Sequence, residues 1–196
     1  MEETMKRRIF VLTAAAAAGL AAAGCSTTTN SGTSGATDAA KRQEIDAAVD
    51  GTMSRLFSTV PGSQELVAKS QGVLVFPSVG KAAFIIGGSY GQGALRVGGS
   101  TVGYYSTAAA SFGLQAGVQS TAVIFLFMTQ DSLDKFRNSK GWSVGGDVAV
   151  ALVKVGANGQ IDTRTATAPV QAIVMTNTGI MADASVAGTK VTKLDL

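Results

Sequence analysis

The chain contains no histidine, so histidine-based acid–base chemistry is excluded. Serine–histidine dyads and histidine metal sites are excluded outright. The single cysteine, Cys25, excludes an internal disulfide and any Cys-x-x-Cys site. Asp131 and Asp134 stand three apart, a spacing that puts two side chains on one helix face. Their simpler role is as first-turn charges favoured by the helix dipole. Asp147 and Asp183 sit among apolar, strand-like residues. Each reads as a buried, hydrogen-bonded acid before a metal ligand, since no second carboxylate lies close in sequence. With no paired-acid motif and no cysteine nucleophile in the domain, the chain is not expected to be an enzyme, and no cofactor is implied.

The stretch Phe84-Ile-Ile-Gly-Gly-Ser-Tyr-Gly-Gln-Gly93 is the strongest candidate for ligand chemistry. From Gly88 it spells G-x-x-G-x-G, the reverse of the dinucleotide-binding spacing. A phosphate loop also needs a following helix whose first amides meet the anion. Here Ala94-Leu-Arg-Val97 and Gly98-Gly99 follow, and no Gly-Lys-Ser/Thr occurs. The glycines therefore belong to a strand that bends, bulges or meets another backbone closely. Ser111-Phe-Gly-Leu-Gln-Ala-Gly117 and Gly145-Gly146 repeat the device. Lys81, between two apolar runs, could form an anion-facing patch with Arg96, Lys69 and the basic residues of the first helix; the plainer alternative is a solvated loop lysine.

These residues need elements to position them. The 196 residues suffice for one domain with a real core. Apolar residues make up 46% and charged ones 15%, which places the chain among globular proteins. Ile45, Val49, Met53 (or Thr52) and Leu56 recur at helical spacing over Asp38–Thr59, with Thr37 or Asp38 as cap. Pro61-Gly62 ends that helix, and Ser63–Lys69 reads as a short second one capped by Ser63. Strand patterns follow at Val73–Phe76, Ala82–Ile86 and Gly103–Gln119. In the last, the even positions are mostly apolar and the odd ones small or polar. Ala122–Met128 is apolar on both faces and should be a central strand. Asp131–Arg137 reads as a short helix, capped by Thr129 or Asp131, with Leu133 and Phe136 inward. Trp142–Val155 returns to strand, with Trp142 in the core in preference to a lipid-headgroup position. Asn158-Gly159 marks a hairpin, and strands are expected near 169–176, 180–187 and 189–194. The expected fold class is α+β. A mainly antiparallel, strongly curved, glycine-rich sheet, barrel-like at the extreme, carries N-terminal helices and one short mid-chain helix.

The N-terminus reads as an address. Lys6-Arg7-Arg8 precedes an apolar stretch of 15 residues, Ile9–Ala23, the right length for a signal-peptide core and short for a membrane span. It ends in Leu20-Ala-Ala-Ala-Gly-Cys25, which resembles a bacterial lipoprotein signal with Cys25 as the acylated first residue. Arg7-Arg8-Ile9-Phe10-Val11 also resembles a twin-arginine export signal. The Ser/Thr/Gly-rich stretch that follows reads as a flexible tether. The expected division is 1–24 signal peptide, 25–37 tether and 38–196 domain. Three of the 16 Lys/Arg and two of the 13 Asp/Glu lie in the first 24 residues, which leaves a net charge of +2. With no basic run, nucleic-acid binding has no support.

Several segments in order resemble the SYLF family, also called the Ysc84 domain. They are Ser70-Gln-Gly-Val-Leu-Val-Phe-Pro77, Lys81-Ala82, Gly87-Gly-Ser-Tyr-Gly-Gln-Gly93 and Ser111-Phe-Gly-Leu-Gln-Ala-Gly-Val-Gln-Ser-Thr121. The apolar run to Met128, Leu133 with Phe136, and Gly145-Gly-Asp147 complete the set, over about residues 38–196. The chain departs from the family at Ala122, where an acid is usual, and at Tyr104-Tyr-Ser-Thr-Ala, where an aromatic–proline segment is usual. The resemblance implies a lipid-binding domain whose relatives use a basic N-terminal segment, and fungal relatives also bind actin. Carried over, it implies an anionic phospholipid or phosphoinositide membrane as partner, with Lys41, Arg42 and Arg55 in the segment of the family's basic helix; Lys69, Lys81 and Arg96 of the anion-facing patch join them as expected lipid-binding residues, and the lipoprotein-like signal makes Cys25 the expected lipidation site. An exported protein, anchored to a bacterial membrane on the periplasmic side and sorted by Ser26 to the outer membrane, is the expected setting. The alternative is a protein-interaction module that uses an edge strand or the N-terminal helix.

Overall fold

Helix α1 (Ser34–Thr59) is the first described element, starting earlier than the spacing of its apolar residues suggests. In this computed structural model the residues described are 34–81, 88–109, 120–153, 161, 168–176, 179–181 and 184–196. Ile45, Val49, Leu56 and Val60 form the buried stripe of α1; Thr52 is buried too, and Met53 packs at its edge. Helix α2 (Ser63–Lys69) follows directly. Its N-cap is Gly62 at φ 85°, not the expected Ser63. The Ser63 hydroxyl instead donates back to the Val60 and Leu56 carbonyls, tying off the open end of α1.

Nine strands form one sheet among the described residues: β1 (Gly72–Lys81), β2 (Ser89–Val97), β3 (Ser100–Ala109), β4 (Ser120–Phe127), β5 (Trp142–Ser143), β6 (Val150–Leu152), β7 (Val170–Thr176), β8 (Gly179–Ile180) and β9 (Lys190–Leu194). Helix α3 (Gln130–Asn138) lies between β4 and β5 in the chain. The order is β5-β9-β3-β2-β1-β4-β7-β6, with β8 also on β7; all pairings are antiparallel except β6–β7. The fold is α+β, a strongly curled half-barrel sheet with three helices among the described residues.

β4 is the central, two-sided strand its composition indicates. Every residue from Ala122 to Phe127 is buried. Ala122, Ile124 and Leu126 face the α1 side with Val73, Val75, Ile173 and Met175. Val123, Phe125 and Phe127 face the other side, where Leu133 and Phe136 of α3 close over them. Trp142 is a core residue, edge-on to Phe125 and Phe136 with ring centroids 5.4 Å away in each case. Both cores lie wholly inside the compact unit Ala36–Leu196, so a protein of residues 34–196 keeps every residue of both cores.

Three strand expectations are corrected. β1 does not end at Pro77 but runs through it, because an extra residue is inserted there. Val75 and Ser78 pair with Ala94 and Gln92, and Phe76 and Val79 with Val123 and Thr121, so three steps of β1 oppose two of each neighbour. The bulge frees Pro77 from the ladder hydrogen bond it cannot donate. In β3 the covered positions are the odd ones, Tyr105, Thr107 and Ala109; the even-side apolar residues 112, 114 and 118 lie outside the described residues. Trp142–Val155 is not one strand, because Gly145 at φ 90° turns the chain between β5 and β6. Ala82–Ile86 and the Asn158-Gly159 turn also lie outside the described residues.

Candidate functional site

The described part of the glycine-rich motif, 88–93, leads into and forms the first half of β2, opposite the β1 bulge. A β-carbon on Gly93 would lie 1.9 Å from the Val75 carbonyl oxygen, and one on Gly91 would lie 2.7 Å from that of Ser78. These glycines let two backbones approach, and β2 turns at Gly98-Gly99 into β3 with no helix between them. Gly91 and Gly93 thus serve strand packing, and among the described residues no helix N-terminus follows the motif to meet a phosphate.

One face of α1 docks on β3 through polar contacts that the sequence alone did not reveal. The Asp46 carboxylate accepts from Tyr104 Oη at 2.7 Å and Thr101 Oγ1 at 2.8 Å. Arg96 Nη1 pairs with Asp50, one turn along α1, and Nη2 reaches the Asp46 carbonyl at 3.4 Å. Partial burial, then the hydrogen bond to Asp46, pushes the Tyr104 phenol up to about 12, against the opposing charges of Arg42 and Arg96. The only sequence signal for this arrangement is the four-residue spacing Arg42, Asp46, Asp50.

The expected basic residues that are described have different local partners. Arg42 and Arg96 both act on the Tyr104–Asp46 region. Lys69 pairs with Glu65 at 2.7 Å on an exposed turn of α2, which holds Glu65 below the usual carboxylate range. Lys41 lines a separate cleft of about 620 Å3 with Glu44, Pro77, Ser78 and Tyr90. Arg55, half-buried, lies 14 residues beyond Lys41, about 21 Å along the helix axis. The side chain of Lys81 and all of Cys25 lie outside the described residues. Exposed cations also occur elsewhere: Arg137, Lys140, Lys190 and Lys193 at the end of α3 and along β9, none in a salt bridge among the described residues.

The acids have structural partners. Asp131 pairs with Lys135 at 2.8 Å, and Asp134 accepts from Gln130. Asp147 is exposed, contrary to the expectation of a buried acid. Its Oδ2 accepts from the Ser143 hydroxyl and amide, each at 2.7 Å, and these bonds hold its carboxyl below the usual range. It braces the Gly145 turn. Asp183 lies outside the described residues. Among the described residues no three His, Cys, Asp or Glu side chains converge as a metal site would require, and no described helix is long and apolar enough to cross a membrane.

A second cavity among the described residues is an apolar pocket of about 340 Å3 between the end of α1, α2 and the β2–β3 turn, with Arg96 in its lining. Comparison with known families assigns the C-terminal part of the chain. Residues 108–195 match the Ysc84 family, described as Las17-binding protein actin regulator. The Ysc84 match takes in the end of β3, β4, α3 and β5–β9, whereas α1, α2, β1 and β2 precede it. Curated proteins give no match.

Proposed function

We propose that this chain is a lipid-anchored cell-envelope protein whose Ysc84-like domain binds anionic phospholipid or phosphoinositide headgroups without catalysing a reaction. The observation that carries the reading is the Ysc84 match over residues 108–195, since the family is linked to lipid and actin binding. The signal-like N-terminus supports export and acylation at Cys25. Each buried acyl methylene contributes about 0.8 kcal/mol, so two or more chains would hold the protein at a membrane. The cations of α1, with Arg96, and those of β9 then supply the attraction for anionic headgroups. A lipid-class screen of residues 34–196 tests this. Binding should follow headgroup charge, and Arg55→Ala and Lys81→Ala should weaken it; indifference to headgroup charge would refute it.

A second reading is favoured by the description of the matching family, which names a protein partner and actin regulation. The outer strands β5 and β6 have two and three residues, too short to template an added strand. A protein partner would therefore meet the outer face of α1. A crosslinked envelope partner that persists at high salt would favour this reading, because salt screens lipid attraction.

A further inference from the structure

We propose that the pocket between α1, α2 and the β2–β3 turn holds the hydrocarbon chain of a single anionic amphiphile, with Arg96 meeting its charged group at the rim. The inference rests on the anionic-lipid reading above and adds to it a site for one molecule. Met53, Phe57, Val67, Val73 and Val75 line the pocket. Phe57 is 37% exposed, one of two exposed large apolar side chains among those described. Apolar surface left open at the lip of an apolar hole is stabilised when hydrocarbon replaces water there. Gly98 and Gly99 form the opposite rim, and a β-carbon on either would meet nothing within 4 Å, so that side stays open.

The polar side chains in the pocket lining are Ser70, Gln71 and Arg96. The Ser70 hydroxyl already donates to the Val67 carbonyl at 2.7 Å. Arg96 is the one charged side chain in the lining, and its donors are not exhausted. A guanidinium has five N–H groups. One is taken by Asp50 and one reaches the Asp46 carbonyl; Nε–H has no partner among the described residues but is buried, so the N–H groups left for an incoming anion are those on Nη1 and Nη2. The Asp50 side chain is 66% exposed against 19% for Arg96. Water therefore screens the pair from the Asp50 side, and an incoming anion can share the guanidinium. One fixed cation beside an apolar hole complements one anionic group on an apolar tail. At about 340 Å3 the hole is near the small end of ligand pockets, roughly 300–1,000 Å3. An amphipathic partner helix would need a longer stripe with anchors over two turns.

The test uses lyso-phosphatidylglycerol, below the concentration at which it forms micelles, titrated calorimetrically into residues 34–196. Saturable binding of one molecule is expected, at least tenfold tighter than for lyso-phosphatidylcholine. Ala68→Trp, on the exposed pocket wall of α2, should abolish uptake while sedimentation with phosphatidylglycerol vesicles persists. Asp50→Asn should tighten uptake severalfold by releasing Arg96, an effect that a merely structural role for Asp50 would not produce. Uptake unchanged by Ala68→Trp, or equal binding of glycerophosphoglycerol, which has the headgroup and no chain, would overturn the proposal. So would a dimer that Ala68→Trp disperses without amphiphile uptake, since a second copy would then fill the pocket. Vesicle binding without lyso-lipid uptake removes the pocket alone; loss of both in the unsubstituted protein removes the lipid reading with it.

Discussion

Gly93→Ala should be among the most damaging single-methyl additions in this chain. The new β-carbon would lie 1.9 Å from the Val75 carbonyl oxygen and 2.8 Å from Phe76 Cδ1. Ordinary contact begins near 3.4 Å, so β1 and β2 would have to part by about 1.5 Å at the bulge, against a strand spacing of about 4.8 Å. Ladder hydrogen bonds on both sides of the bulge would stretch with them. Overpacking a close-packed interior costs about 1–3 kcal/mol and sometimes more, and a clash with backbone belongs at the upper end. A loss of about 3 kcal/mol is expected in urea unfolding of residues 34–196, read as a lower midpoint at unchanged slope. Gly51→Ala is the matched control. It lies exposed on α1 with nothing within 4 Å of the added carbon, and should stabilise by about 0.5–1 kcal/mol. A Gly93→Ala protein within 0.5 kcal/mol of the parent would refute the close-approach explanation of the motif. A phosphate loop would give the opposite pattern: lost anion binding at unchanged stability.

Other substitutions probe the remaining contacts. Asp46→Ala strips Tyr104 and Thr101 of their acceptor and should cost about 1.5–3 kcal/mol in the same assay. The Tyr104 phenol is raised to about 12 in the folded protein, so its contribution is complete below about pH 10 and is lost as pH rises toward 12. Tyr104→Phe should remove that part of the alkaline destabilisation, measurable by comparing midpoints at pH 9 and pH 11.5. Trp142→Ala opens the aromatic cluster with Phe125, Phe127 and Phe136 and should cost about 3–5 kcal/mol, with loss of near-ultraviolet circular dichroism. Lys69→Ala breaks only an exposed pair with Glu65 and should change stability by no more than about 1 kcal/mol.

The parts of the fold that were legible in the sequence are those governed by local pattern. Two-sided apolarity placed β4 at the centre, and helical spacing found the stripe Ile45–Leu56 and the inward pair Leu133 and Phe136. What escaped depends on contacts between distant segments. Nothing local to Ser63 shows that its hydroxyl will be used by the end of α1 rather than the start of α2. Pro77 looked like a strand end because its tolerance requires a bulge that is visible only once β2 and β4 are paired against it. Asp147 looked buried because its neighbours are apolar, whereas the turn at Gly145 carries it to the surface. The local partners of the basic residues escaped because charge counts carry no geometry. Asp46 and Asp50 interleave with them on α1 and hold Arg96 against the helix.

The most direct test of the lipid-binding account is co-sedimentation of residues 34–196 with vesicles of phosphatidylglycerol or of phosphatidylcholine, at low and high salt. The account predicts binding to the anionic vesicles at low salt, little to the zwitterionic ones, and a steep loss as salt screens the α1 and β9 cations. No binding to anionic vesicles at low salt, or equal binding to both kinds at any salt, would contradict it.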